Sequence, residues 1–322
     1  MNIAYFGSPD ISAELLKLLL KQNCPISLVV TQPDKAVGKR LQMSQTPVKR
    51  LANEYHIPLF DLQMNNTNET ALIPLLQKQS INLGIVFAYG ELLSGNLLKS
   101  LEYGFWNVHP SLLPRYRGPA PTTFPLLLGD TQTGVTLIQM NTFLDRGDII
   151  QQTVVPISQN DNRRTIEERL IPLAAKDISN ALAKLKAKSL KTKQQDNSSA
   201  TYTRLLHKND GYISYELVCK ALGSKKISSR ELPFILTSYF QKNNLLTEHT
   251  YTACDVVYNL YRGLSPWPGI WTKVPIHGRE KRLKLLSMSP TDIELRLEQV
   301  QLEGKTPVDF STFTQAYNLF LS

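Results

Sequence analysis

Between Asn2 and Val155, short apolar runs alternate with stretches of helical period, and this alternation constrains the fold more than any other feature of the chain. Asn2–Phe6, Pro25–Thr31, Pro58–Phe60, Asn82–Phe87, Gly104–Val108, Gly134–Met140 and Ile149–Val155 read as strands. Asp10 reads as the cap of a helix whose apolar positions include Ile11, Leu15, Leu16, Leu18 and Leu19. A polar loop is expected over Gln32–Thr46, then a helix from about Pro47 to Tyr55. Buried strands joined through helices pair in parallel, because a tight turn cannot return the chain to the same end of the sheet. The pattern therefore predicts an α/β, Rossmann-like, mainly parallel sheet with ligands at the carboxyl ends of its strands. The first turn, Gly7-Ser8-Pro9-Asp10-Ile11-Ser12, lacks the GxGxxG spacing, and no P-loop is present, so a dinucleotide site of the usual kind is not expected.

A long helix, roughly Thr165–Lys188, closes this half. Ser189–Thr203 (SLKTKQQDNSSATYT) is polar and aperiodic and reads as an interdomain linker. From about Arg204 onward, short strands are expected at Gly269–Pro275, Leu283–Met288, Asp292–Leu297 and Gln299–Leu302, suggesting a smaller β-rich domain. The 322 residues suit this division into 1–188, a linker at 189–203, and 204–322.

Composition narrows the class. The N-terminus carries no basic and apolar leader, and no stretch of about 18 apolar residues occurs, so neither a signal peptide nor a membrane span is expected. Cys24, Cys219 and Cys254 are odd in number and far apart; they read as apolar packers in a reducing cytoplasm, with no metal site expected. The net charge is +9 and is unevenly spread. From Lys184 to Arg230 eleven Lys or Arg face three carboxylates, and Thr31–Arg50 sets Lys35, Lys39, Arg40, Lys49 and Arg50 against Asp34. Such clusters favour a polyanionic partner, while solvated helix faces and linkers produce them too.

The chemistry is densest in Phe105–Pro121, FWNVHPSLLPRYRGPAP. At the end of a strand, Asn107 and His109 share a face because side chains alternate with a period of two. They can aim two donors at one oxygen. Gly134–Asp148 then brings a buried strand to a turn, Leu144-Asp145-Arg146-Gly147-Asp148. A carboxylate there could orient the imidazole, and Asp145 and Asp148 compete for that place. The set fits acyl or formyl transfer, or hydrolysis.

Asn107-Val-His109, Ser111-Leu-Leu-Pro114, Arg117-Gly118, Ala120-Pro121 and Leu144-Asp145-x-Gly147, with Ala88-Tyr89-Gly90 upstream, resemble the folate-dependent formyltransferase family. Gly7-Ser-Pro-Asp10, Thr31-Gln-Pro-Asp34, Gly38-Lys-Arg40, Thr46-Pro-Val-Lys49, Ser265-Pro-Trp-Pro268 and Val300-Gln-Leu-Glu-Gly304-Lys are similar to the members that act on charged tRNA. The resemblance spans nearly the whole chain. It implies 10-formyltetrahydrofolate as donor and the α-amine of methionyl-initiator tRNA as acceptor. It implies Asn107, His109 and Asp145 as the catalytic set, with Ser111, Leu112, Leu113 and Pro114 bordering the tetrahydrofolate site and Phe87, Ala88, Tyr89 and Gly90 beside the pterin. Lys35, Lys39, Arg40 and Lys49 would meet the tRNA, and an OB-like barrel at the C-terminus would add phosphate contacts. A monomer is expected.

The sequence departs from the family in three places. Ile11 stands where an aromatic residue is usual, the basic loop is about one residue short, and Leu222–Thr250 is additional. That extra stretch reads as a solvated helical insertion, or as further phosphate contacts through Lys225, Lys226 and Arg230. Trp267, Trp271, Tyr258 and Tyr261 read as core packing. Competing functions are transfer to a sugar or ribonucleotide amine, hydrolysis of the formyl donor, and nucleic-acid binding without chemistry.

Overall fold

The computed structural model describes residues 1–37, 42–245, 248–290 and 294–320. They form two compact units, the first Met1–Arg117, Thr133–Val155 and Glu167–Ala200, the second Gly118–Gln132, Pro156–Ile166 and Thr201–Ser322.

In chain order the first part runs β1 (Asn2–Phe6), α1 (Asp10–Lys21), β2 (Ile26–Val30), β3 (Lys35–Val37), β4 (Gln42–Ser44), α2 (Pro47–Glu54), β5 (Leu59–Phe60), α3 (Asn66–Lys78), β6 (Ile81–Val86), α4 (Gly95–Leu98) and β7 (Phe105–His109). It continues with α5 (Thr123–Leu127), β8 (Gln132–Gln139), β9 (Ile149–Pro156) and α6 (Arg163–Lys186). Seven of these strands form one sheet in the order β5-β2-β1-β6-β7-β8-β9. β5, β2, β1, β6 and β7 pair in parallel, and β7 pairs antiparallel with β8. The mainly parallel, Rossmann-like sheet is thus present, with every expected strand within one to two residues of its place.

Two local expectations are corrected. Asp10 is the first helical residue of α1, after Pro9, and caps nothing with its side chain. The stretch expected to be a polar loop is a small antiparallel hairpin, β3 with β4. Its base is held by Thr31 Oγ1 on Thr46 Oγ1 (2.7 Å), while Thr46 Oγ1 accepts from Lys49 N (3.1 Å) and so caps α2.

The core follows from strand composition. Ala4, Phe6, Leu28, Val30 and Phe105 cluster with Leu72, Leu76 and Leu97. Phe6 meets both Phe105 and Tyr89 edge-on, with ring centroids 5.4 and 5.7 Å apart. Gly84 on β6 is required there, because a Cβ would stand 2.2 Å from the Phe105 ring. Burial pushes the Cys24 thiol up to about 12, opposed by Lys186, so this cysteine is an inert packer.

The second unit contains α7 (Tyr215–Leu222), β10 (Lys226–Ser228), α8 (Phe234–Lys242), β11 (Thr250–Thr252), α9 (Ala253–Leu264), β12 (Ile270–Ile276), β13 (Arg279–Pro290), β14 (Leu295–Leu302), β15 (Val308–Asp309) and α10 (Phe310–Tyr317). β12-β13-β14-β15 make a four-stranded antiparallel sheet, and β14 is one strand where two had been expected.

The stretch expected as a solvated insertion is folded in. β10 pairs with β11, and α8 buries Ile235, Leu236 and Tyr239, whose ring lies 5.1 Å from that of Phe124. Trp267, expected in the core, is 46% exposed; Trp271 is half-buried, with the Arg282 guanidinium 4.0 Å above its ring.

Arg262, buried on α9, donates from Nη1 to the carbonyls of Ser158, Gln159 and Asp161 at 3.0–3.2 Å and from Nη2 to Asn259 Oδ1 at 2.7 Å. Gly263 beside it lets the helix approach α5, since a Cβ would meet Leu127 Cδ2 at 2.7 Å. Replacing Arg262 by methionine takes the donor from three carbonyls, that of Asp161 buried and those of Ser158 and Gln159 part-buried. At about 1–3 kcal/mol for each orphaned group, a loss of roughly 3 kcal/mol or more is expected. Thermal melting should show this as a fall of about 6–12 °C. An unchanged midpoint would mean that the guanidinium does not hold this corner.

Candidate active site

Three side chains converge at the carboxyl end of β7. Asn107 and His109 lie on one face of that strand, opposite Ile138 and Thr136 of β8 in register. Asp145 comes from the turn after β8. Asn107 Nδ2 donates to Asp145 Oδ1 at 3.3 Å, and His109 Nδ1 stands 3.7 Å from Asp145 Oδ2. The rival Asp148 is exposed, and its Oδ2 accepts from Thr192 Oγ1 at 3.5 Å.

His109 is 4% exposed, and its Nε2 lies 2.9 Å from the carbonyl of Tyr116. A carbonyl can only accept, so Nε2 carries the proton and Nδ1 is the nitrogen whose protonation can change. That nitrogen faces the carboxylate. With Nδ1 turned to Asp145, the imidazole and the second N–H of Asn107 lie together where they can meet an oxygen that gains charge.

The turn explains the Asp-x-Gly pattern. Asp145 adopts a left-handed backbone (φ 53°), which aspartate tolerates better than most residues. At Gly147 a Cβ would fall 1.7 Å from the carbonyl oxygen of Gln139, so no other residue fits without moving the turn. Ala88, just past β6, and Tyr116 also have positive φ.

Residues 111–114 are stitched to the neighbouring strands by two polar side chains that sequence reasoning missed. Thr136 Oγ1 donates to the Ser111 carbonyl (2.6 Å) and accepts from Leu113 N (3.2 Å). Gln152 Nε2 donates to the Leu113 carbonyl (2.9 Å) and to Thr136 Oγ1 (2.8 Å). The one available signal was Thr136 itself, the polar residue within the apolar run Val135–Ile138. Ser111 is buried with its hydroxyl on the Arg115 carbonyl, and Leu113 is buried, whereas Leu112 and Pro114 are half-buried.

Residues 87–90 continue β6 past its carboxyl end. Phe87 and Tyr89 point into the core, and Ala88 and Gly90 are exposed. Ser8 Oγ donates to the Tyr89 carbonyl at 3.1 Å. The buried Tyr89 hydroxyl has no hydrogen-bond partner among the described residues, and burial, then Glu91 and Glu69, hold it protonated. Gly90 has φ +83°, and a Cβ would meet Gln32 Nε2 at 2.8 Å.

The expected tRNA contacts are placed unevenly. Lys39 and Arg40 lie outside the described residues. Lys35 Nζ donates to Gln32 Oε1 at 2.7 Å from an exposed position. Lys49 Nζ sits between Asp34 (2.8 Å) and Asp61 (2.6 Å), whose hydrogen bonds, Asp34 first, raise its pKa. Among the described residues no group of three or more His, Cys, Asp or Glu is arranged to hold a metal, and no helix is long and apolar enough to cross a membrane.

Residues 1–182 match the family model described as Formyl transferase, and the chain belongs to that family. Relatives that match it nearly end to end include methionyl-tRNA formyltransferases. That of Caldicellulosiruptor saccharolyticus is 31% identical, over 99% of this chain and 98% of its own, and that of Geobacter sulfurreducens is 31% identical over 99% and 95%. The fold is shared with a solved N-formyltransferase from Helicobacter canadensis in complex with folinic acid and dTDP-3-aminofucose, at TM-score 0.56 and 15% identity over 93% of this chain and 94% of that one.

Proposed function

We propose that this chain transfers the formyl group of 10-formyltetrahydrofolate to the α-amine of methionyl-initiator tRNA, giving formylmethionyl-tRNA for translation initiation. The observation that carries the reading is the convergence of Asn107 and His109 on the Asp145 carboxylate, in a chain similar end to end to methionyl-tRNA formyltransferases.

The exposed backbone at Ala88 and Gly90 and the half-buried Leu112 and Pro114 suit a flat bicyclic ring with donors and acceptors on its edge. The donor supplies an activated formyl carbon. As the amine attacks it, Asn107 Nδ2 and the His109 imidazole meet the oxygen that becomes an oxyanion; when the oxyanion collapses, the bond from the formyl carbon to the donor nitrogen breaks, and that nitrogen takes the proton the amine gave up as tetrahydrofolate leaves. Asp145 orients the imidazole and takes up the proton that the amine must lose, directly or through a water. Proximity of the held amine adds to this electrostatic contribution.

Lys35, Lys39 and Arg40 meet the phosphates of the acceptor end. Lys49, with its charge met by Asp34 and Asp61, holds the base of the hairpin in place rather than meeting phosphate itself. The second unit adds further phosphate contacts. The enzyme works in the cytoplasm as a monomer and needs no metal.

The test is transfer of labelled formyl from 10-formyltetrahydrofolate to Met-tRNA, compared with free methionine, sugar amines and water. Product on Met-tRNA alone is expected. The rate at low tRNA should fall by orders of magnitude between about 50 and 200 mM salt, because phosphate contacts release counterions. Equal transfer to a sugar amine, or a salt-insensitive reaction, would overturn the acceptor assignment.

A further inference from the structure

Asp145 reaches His109 from a turn, so whatever holds that turn holds the carboxylate. Two of the turn's carbonyls, those of Asp145 and Gly147, accept from a single amide, Gln195 Nε2, at 2.9 and 2.7 Å. The Gln195 oxygen accepts from Arg117 Nε at 3.2 Å and from Nη2 at 2.8 Å, and Nη2 also donates to Asn197 Oδ1 at 2.8 Å. Gln195 is 5% exposed and Arg117 1%. The orientation of the amide is unambiguous, because a guanidinium only donates and a carbonyl only accepts. Both N–H groups and the oxygen of Gln195 are therefore used inside the site's wall.

The position of these partners matters. Arg117 follows Tyr116, whose carbonyl fixes the tautomer of His109. Gln195 thus joins the segment that orients the imidazole to the turn that carries the carboxylate. It does so from residues 189–203, the stretch whose composition reads as a linker. That stretch is instead laid along the Asp145 turn: Ile149 and Lys193 exchange both backbone hydrogen bonds (2.7 and 2.8 Å), and Thr192 donates to Asp148.

We propose that Gln195 is a positioning residue for formyl transfer, whose carboxamide sets the Asp145 carboxylate against His109 and Asn107. The proposal rests on the reaction assigned above. Gln195→Glu keeps the size and an acceptor for Arg117 but turns a carboxylate toward two carbonyls. Gln195→Ala removes the bridge.

Both variants are expected to lower kcat by about 10- to 100-fold, as a displacement of one catalytic group does, with KM for both substrates nearly unchanged. In an Asp145→Asn background, Gln195→Ala should add less than about two-fold, because the two changes remove one function. The imidazole titration of His109, followed by NMR, should move in Gln195→Ala in the direction that it moves in Asp145→Asn. Circular dichroism and melting identify a folded variant, and Gln195→Glu serves if the alanine variant does not fold.

Wild-type kcat in Gln195→Glu, full multiplication of the two effects, or an unmoved His109 titration would overturn the proposal. The titration needs no acceptor. If the wild type transfers no formyl group while the titration still follows Gln195, the assigned reaction fails and the positioning role stands.

Discussion

Replacing His109 by alanine should lower the turnover of formyl transfer by about 10²–10³-fold, the usual consequence of losing one donor to a developing oxyanion. The imidazole is buried and its Nε2 is bound to the Tyr116 carbonyl, so Nδ1 alone is left to serve the reacting oxygen. Asn107→Ala and Asp145→Ala should fall in the same range or lower. Asn107 and His109 both meet the Asp145 carboxylate, so the double variants should lose far less than the product of the single losses. Single-turnover rates with saturating donor and Met-tRNA measure this, with melting curves to show that the fold survives. Some stability will go from His109→Ala, because the Tyr116 carbonyl loses its donor. Near-normal turnover in all three variants would sink the assignment.

Gly147→Ala should be nearly as severe although the residue bears no side chain. The added Cβ would lie 1.7 Å from the Gln139 carbonyl oxygen and 2.8 Å from its carbon, and neither atom belongs to a flexible side chain. The turn must shift by an ångström or more, and Asp145 stands two residues before it. Misplacing a reacting group by about 1 Å costs on the order of 10²-fold in rate. The expected result is a fall of that order in kcat, a lower melting temperature and little change in KM. Asp148→Ala is the matched control, since that carboxylate is exposed and bound to Thr192; its turnover should stay within a few-fold of wild type. Ordinary turnover in Gly147→Ala would show that the turn does not place Asp145.

Much of the first unit was legible because its signals are local. Apolar runs of three to seven residues with intervening helical periods can hardly form anything but a wound sheet, and the period of two on β7 put Asn107 and His109 on one face. The choice between Asp145 and Asp148 was not local: both lie in one turn, and only the family resemblance separated them before the geometry did. The hairpin at Lys35–Val37 and Gln42–Ser44 was missed for a related reason. Its strands are three residues each, too short for a period to show. The extra stretch in the second unit looked solvated because its polar loops mask a short apolar face, Ile235, Leu236 and Tyr239, that becomes visible only once it is buried.

The sequence by itself determined the sheet, the strand-end pair Asn107 and His109, the glycine-bearing turn and the family, since each rests on the order and spacing of neighbours. Tertiary structure alone decided which nitrogen of His109 faces Asp145, that Lys49 is held by two carboxylates, and that Gln195 belongs to the wall of the site. Those facts depend on pairings between residues 7 to 50 positions apart, and hydrogen bonds of that reach leave no periodic trace in composition.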